Sequence, residues 1–287
     1  MSGEPARSAV RAGVLRRLGR KPFMLAVLAV LVLCGAAAAL APLLAPYDPY
    51  RVDTARRLEA SSREHWLGTD EFGRDVLSRL LFGARVSLAV GLLATAIGLV
   101  SGLVIGLCAG YFRRLDNVMM RLVDVLMAIP AVLLAIAVVA VLGPGLPQIM
   151  VAVGVSSLPG FARLTRSVVL GLRELEFVQA SRAAGASDVF ILLRDILPNV
   201  LPSVLVFGSL HMARSLLAVS ILNFLGLGVQ PPTAEWGAMV SGARSYLRQA
   251  PMLATVPSMA IFLVALSFNL LGDELRDLLD PRLRGVV

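Results

Sequence analysis

Lysine is almost missing from this chain. Lys21 is the only one among 287 residues, although Lys and Arg together number 27, so the positive charge is carried by arginine. A Walker A phosphate loop needs Gly-Lys-Ser/Thr, with the lysine reaching the terminal phosphates. Lys21 stands between Arg20 and Pro22 instead. ATP is therefore not bound in that manner, and any ATP-driven work has to come from another polypeptide. Cysteine is scarce as well: Cys34 and Cys108 lie in separate apolar blocks, without the C-x-x-C or Cys/His spacing of a metal site or the even framework of a disulfide fold. Both read as buried thiols that behave as small apolar residues. No metal site is expected. Charge is thin, at 16% of residues against about 25% in soluble domains, and the mean hydropathy is +0.79. A soluble globular domain is excluded.

The uncharged residues are gathered into long blocks. A helix crossing about 30 Å of hydrocarbon needs roughly 20 apolar residues, and on that criterion the chain offers six spans. The first is Phe23 to Pro46; the uncharged run Phe23–Tyr47 has 25 residues, longer than the roughly 7–15 of a secretory signal core, and reads as a retained anchor. The second runs from Val86 to Phe112 and is rich in Gly, Ala and Ser, which suits close helix packing. The third and fourth share the 38 uncharged residues from Val125 to Ala162, divided by Gly143-Pro144-Gly145 and Pro147. The fifth covers about Asn199 to Leu227 and the sixth Ala250 to Gly272. The fold class is an all-α membrane protein.

Cationic loops resist translocation. With the N-terminus inside, 17 of the 27 cationic residues fall on inner segments and nine on outer loops, which predicts an N-in, C-in topology. The organisation that follows is an inner N-terminal segment over 1–22, a first span and outer loop over 23–85, a five-helix core over 86–272 and an inner tail over 273–287. In the outer loop Thr69 is expected to cap an amphipathic helix, with Asp70 and Glu71 in its first turn and Phe72, Val76, Leu77, Leu80 and Leu81 along one stripe. The inner segment between the fourth and fifth spans predicts a helical hairpin over 176–193, with a turn at Ala184-Gly185 and a second helix starting at Ser187 or Asp188. Ala180, Ala183, Ala184, Gly185 and Ala186 give it a small-residue surface that lets another backbone come close.

Few polar groups lie in the spans. Asp124 is near the inner end of the third, where pairing with Arg121 is as good a reading as a place in a proton relay. His211 and Arg214 lie three residues apart on one side of the fifth helix. A guanidinium at that depth faces a wet cavity, a partner or lipid headgroups rather than hydrocarbon, so these two are candidate pathway residues; pairing of Arg214 with a second subunit is the other reading. A hydrolase dyad of Ser156 or Ser157 with His211 lacks a G-x-S-x-G elbow, and no catalytic residue is assigned. An ATP-independent carrier or channel using His211, Arg214 and Asp124 remains the alternative to an ATP-coupled permease.

Three motifs point further. Gln179-Ala180-Ser181-Arg182-Ala183-Ala184-Gly185, followed by Ile196-Leu197-Pro198, resembles the E-A-A-x3-G-x9-I-x-L-P loop of permease subunits of bacterial ABC importers. Leu67-Gly68-Thr69-Asp70-Glu71-Phe72-Gly73-Arg74-Asp75 is similar to the LGTD-x-x-GRD signature of the dipeptide and oligopeptide (C-type) permeases. Phe224-Leu225-Gly226-Leu227-Gly228-Val229-Gln230-Pro231-Pro232-Thr233, with Glu235-Trp236-Gly237, resembles that subfamily's signature after its fifth span. Gln179 replaces the motif's Glu, Ser181 an Ala and Asp195 an Ile, which bears on the strength of coupling rather than on the class. The resemblance implies the type I ABC importer transmembrane-domain architecture in a bacterial cytoplasmic (inner) membrane. It implies as partners a second homologous permease, two ATPase subunits that hold the ATP and Mg, an extracytoplasmic binding protein and membrane lipids, with no nucleic acid. Gln179 to Asp188, including Ser181, Arg182 and Ser187, together with Pro198 would couple to the ATPases. Asp70, Arg74, Gln230 and Trp236 would meet the binding protein or form an outer gate. Di- or oligopeptides, or a related small solute, would be carried.

Overall fold

The computed structural model describes residues 22–279. The inner segment expected over 1–22 lies outside the described residues except for Pro22, as does the tail beyond 279. Among the described residues nine principal helices run in chain order: α1 (Pro22–Ala39), α2 (Val76–Tyr111), α3 (Arg113–Ala128), α4 (Ala131–Leu142), α5 (Leu146–Leu172), α6 (Glu176–Ala183), α7 (Leu197–Phe224), α8 (Trp236–Ala243) and α9 (Met252–Leu279). No strand occurs among the described residues beyond an isolated bridge between Thr69 and Asp75. The helix running through α2, the one ending in α7 and α9 are each long and apolar enough to cross a membrane; α3 and α4 make a fourth if the pair, bent by 95°, counts as one broken span.

The bend is local chemistry. Ile129 is extended, at φ −96° and ψ 128°, because the ring of the following proline disfavours helical backbone there, and Pro130 then caps α4. Val125 thus lies in the last turn of α3 rather than opening a straight span.

α2 is the axis of the bundle, and its 36 residues extend about 54 Å. Gly98, Gly102, Gly106 and Gly110 recur every four residues along it and meet Ser157, Phe161, Thr165 and Val169 of α5, themselves four apart. A methyl group on any of the four would collide with its opposite number. Four small residues on one stripe let the two backbones approach, and van der Waals contact along the seam takes the place of a hydrophobic driving force that lipid does not supply.

One buried cluster joins Val90 and Ala94 of α2, Ala135 and Val139 of α4, Ile149 and Val153 of α5, and Val219 and Leu222 of α7. A second, at the end of α2 where Tyr111 lies, joins Phe161 and Val169 to Val178, Ile191, Ile196, Val200 and Val204. The hairpin at 176–193 is therefore built onto one end of the bundle, and the loop that precedes Val76 onto the other.

Candidate functional site

Hairpin end. Glu176 in the first turn of α6 and Arg182 in its last complement the helix dipole. The helix stops at Ala183, and Gly185 takes φ +79°, a conformation that costs other residues more. Ser187 then accepts from the Phe190 N–H as an N-cap, and the chain passes through a short helix, Asp188–Phe190, and a π-helix, Ile191–Ile196, into α7. Gln179, Ala180, Arg182, Ala183, Ala184, Gly185, Ser187, Asp188 and Pro198 are exposed, while Ser181 and Ala186 are half-buried. Val189 and Leu193 add apolar surface at 63% and 59% exposure. The opposite side is anchored: Val178 and Ile191 are fully buried, the Tyr111 hydroxyl donates to Asp188 Oδ1 at 2.6 Å, and the Arg182 guanidinium lies 5.8 Å from the Tyr111 ring centroid. Gln179 Nε2 donates to the Arg173 carbonyl at 3.0 Å, a bond that a carboxylate in its place could not make.

Middle of the bundle. The His211 ring packs against Phe161 and Phe207, with centroids at 4.8 and 4.5 Å, and Arg214 is exposed. The Ser156 and Ser157 hydroxyls donate to the Val153 and Gly154 carbonyls of their own helix, so neither pairs with His211. Asp124 does not pair with Arg121 but accepts from Arg163 Nη2 of α5 at 2.6 Å. Asp116 receives both Arg166 Nε and Nη2, at 2.6 and 2.7 Å. Two ion pairs thus tie α3 to α5.

Far end. Thr69 caps no helix. Its hydroxyl is bonded to the Arg56 carbonyl and accepts from the Glu59 N–H, whereas the Asp75 carboxylate takes the Ser78 N–H at 2.7 Å and starts α2 at Val76. The stripe expected on a separate amphipathic helix therefore falls partly in a loop and partly in α2 itself. Asp70 folds back on that loop, accepting from the Phe72 and Arg74 N–H groups and from Arg74 Nε at 2.6 Å. Asp70, Arg74 and Trp236 are buried, at 6%, 6% and 2% exposure, and only Gln230 of the four expected outer residues is exposed. The first three hold the surface together from beneath.

Sequence reasoning missed the residues that organise this end. Arg79 lies 3.3 Å from Asp70 Oδ2 and donates to the carbonyls of Pro49 and Pro232, so one guanidinium joins three separated segments. Glu235 is 2% exposed; Oε1 accepts from Ser87 Oγ, and Oε2 accepts from Asn223 Nδ2 and the Ala238 N–H, at 2.7, 2.7 and 2.8 Å. Burial raises the Glu235 carboxyl above the ordinary range, opposed by hydrogen bonds from Ser87 and the backbone of Ala238 and Gly237. The one available signal was a carboxylate set between apolar Ala234 and Trp236. A cavity of about 260 Å³ lies between these loops, bordered by Glu71, Arg74, Gln230 and Ser241.

Residues 98–285 match the family model for the binding-protein-dependent transport system inner membrane component, and residues 11–60 that for the N-terminal TM domain of oligopeptide transport permease C. The glutathione transport system permease protein GsiD of Escherichia coli O6:K15:H31 is 46% identical over 272 residues, spanning 94% of this chain and 90% of the relative. GsiD of Pectobacterium atrosepticum is 46% identical over 243 residues, 84% of this chain and 81% of the relative. Among solved structures, the inward-facing MetNI methionine ABC transporter gives a TM-score of 0.57 at 19% identity, over 71% of this chain and 98% of that one. An amino acid ABC transporter with histidines gives 0.53 at 17%, over 69% and 92%. At such identities these two speak for the fold. This chain belongs to the family of binding-protein-dependent transport system inner membrane components, and it is a permease subunit of a peptide-type ABC importer.

Proposed function

We propose that this subunit supplies half of a solute pathway whose opening is driven through the hairpin 176–193 by ATPases docked against it. A homologous second permease would complete the pathway, two ATPase subunits would hold ATP and Mg on the inner side, and an external binding protein would deliver solute to the outer side. The subunit itself would carry out no catalysis. Six crossings follow if α1, α2, the α3–α4 pair, α5, α7 and α9 each traverse the bilayer. The placing of 17 of the 27 cationic residues on inner segments supports N-in, C-in, with the boundaries 1–22, 23–85, 86–272 and 273–287. His211 and Arg214 would line the pathway, and Gln230 would stand at the outer surface above buried Asp70, Arg74 and Trp236. The name of the two glutathione-system relatives supports a small peptide-like solute.

The observation that carries the reading is the two-sidedness of the hairpin. Ala180, Ala183, Ala184, Gly185 and Ser187 lie open on one side, and Val178, Ile191 and the Tyr111–Asp188 bond fix the other to the bundle. A flexible loop would dissipate a displacement; a hairpin packed into the ends of α2 and α5 transmits it. Ala183→Cys, paired in the assembled complex with a cysteine introduced on the facing ATPase surface, should give a disulfide on treatment with copper phenanthroline and air, or a thioether bridge with a short bismaleimide. Gly185→Trp, strained at positive φ and bulky on the docking side, should abolish that adduct and solute uptake while leaving membrane insertion intact. Wild-type uptake by Gly185→Trp would contradict the reading.

A further inference from the structure

Arg214 is the only charged residue between Leu197 and Phe224. It is exposed, and no carboxylate among the described residues pairs with it; Asp116 and Asp124 of α3 are taken by Arg166 and Arg163. Phe207, His211, Arg214 and Ala218 follow at intervals of four, three and four, which places them on one helix face. That face is open or half-open, whereas Met212, Ala213, Ser215 and Leu216 on the other side are buried. The His211 ring is held by aromatic contacts alone, with no hydrogen bond to its nitrogens from the described residues. Beside its Nε2 stands Gly160, where even an added Cβ would remain 3.7 Å away. Two polar groups one turn apart thus face a space that this subunit leaves open.

An arginine cannot shed its proton, and an unpaired guanidinium at mid-membrane depth demands water or a counter-charge. Its planar fork of donors matches a carboxylate, which it can hold by two parallel hydrogen bonds. We infer that Arg214, assisted by His211, forms an anion subsite in the pathway that takes the carboxylate of the passing solute. The inference rests on the reading of this α7 face as pathway wall. Phe207 would supply the apolar side of the subsite and Gly160 the room.

The test uses the assembled complex with Cys34→Ala and Cys108→Ala, the partner subunits freed of reactive cysteines, and a single reporter introduced by Ala218→Cys one turn above Arg214. Its rates of modification by an anionic sulfonate and a cationic trimethylammonium methanethiosulfonate are each divided by that reagent's rate on a free small thiol. A nearby unpaired cation should favour the anionic reagent by about tenfold; Arg214→Gln should bring the ratio close to unity, and Arg214→Lys should preserve most of the preference. Equal normalised rates with Arg214 present would overturn the subsite while leaving a water-lined face, as a carboxylate of the second permease opposite Arg214 would produce. Failure of both reagents to react would overturn the pathway reading along with the subsite.

Discussion

Removing the carboxylate of Glu235 would leave the Ser87 hydroxyl, the Asn223 amide and the Ala238 N–H aimed at a void. Each buried unsatisfied donor costs about 1–3 kcal/mol, so Glu235→Ala should destabilise the subunit by about 3 kcal/mol or more, read as a lowered melting temperature of the purified complex. The carboxyl has its pKa raised by burial, so the folded state binds more protons than the unfolded one. Its contribution to stability is complete below the unfolded value of about 4.3 and is lost as pH rises through the raised folded value. Glu235→Gln should flatten that slope of stability against pH, and an unchanged slope would assign it elsewhere. Such residues were not legible in the sequence because their partners come from distant segments: Ser87 is 148 positions from Glu235. For the same reason the burial of Asp70, Arg74 and Trp236 was not visible in the sequence. Polar residues in a long loop read as exposed, and nothing local announces that Asp70 turns back onto its own backbone.

Among the elements, hydropathy and turn chemistry were informative where the deciding interaction is local. The hairpin's turn at Ala184-Gly185 and its restart at Ser187 depend on positive φ and on a hydroxyl cap, both visible in a few consecutive residues. The start of α2 was harder, since Thr69 and Asp75 are both competent N-caps and only the tertiary bonds of the Thr69 hydroxyl to the backbone of Arg56 and Glu59 decide between them. Gly, Ala and Ser in the second span signalled close packing, but the partner helix and the four-residue register against α5 required the structure. That register makes a sharp prediction. Gly102→Leu places a branched side chain against Phe161 and the Leu158 carbonyl, and the complex should fail to assemble or lose most of its thermal stability, whereas Gly171→Leu, at a position with open space, should leave it intact. Tyr111→Phe removes one charge-assisted bond to Asp188, worth about 1.5–3 kcal/mol. It should lower the solute moved per ATP hydrolysed by the complex more than it lowers membrane abundance. Unaltered stoichiometry would remove the Tyr111–Asp188 bond from the coupling route.

At the scale of the whole molecule, three regions lie along one axis. The hairpin and the far-end loops are separated by the length of α2, and the Arg214 face of α7 lies between them. No phosphate-binding lysine loop is present in the chain, and the glycine seam holds α2 and α5 in close contact along the middle of the bundle, where the proposed displacement would pass. On the proposed reading such a subunit would move solute only when pushed. Proteoliposomes without an ion gradient, loaded with ATP and given a labelled small peptide outside with the cognate binding protein, put this directly to measurement. Accumulation should require the permease pair and both ATPase subunits together, and should vanish when the complex carries Gly185→Trp. Concentrative uptake by this chain reconstituted alone, or undiminished uptake by the Gly185→Trp complex, would contradict it.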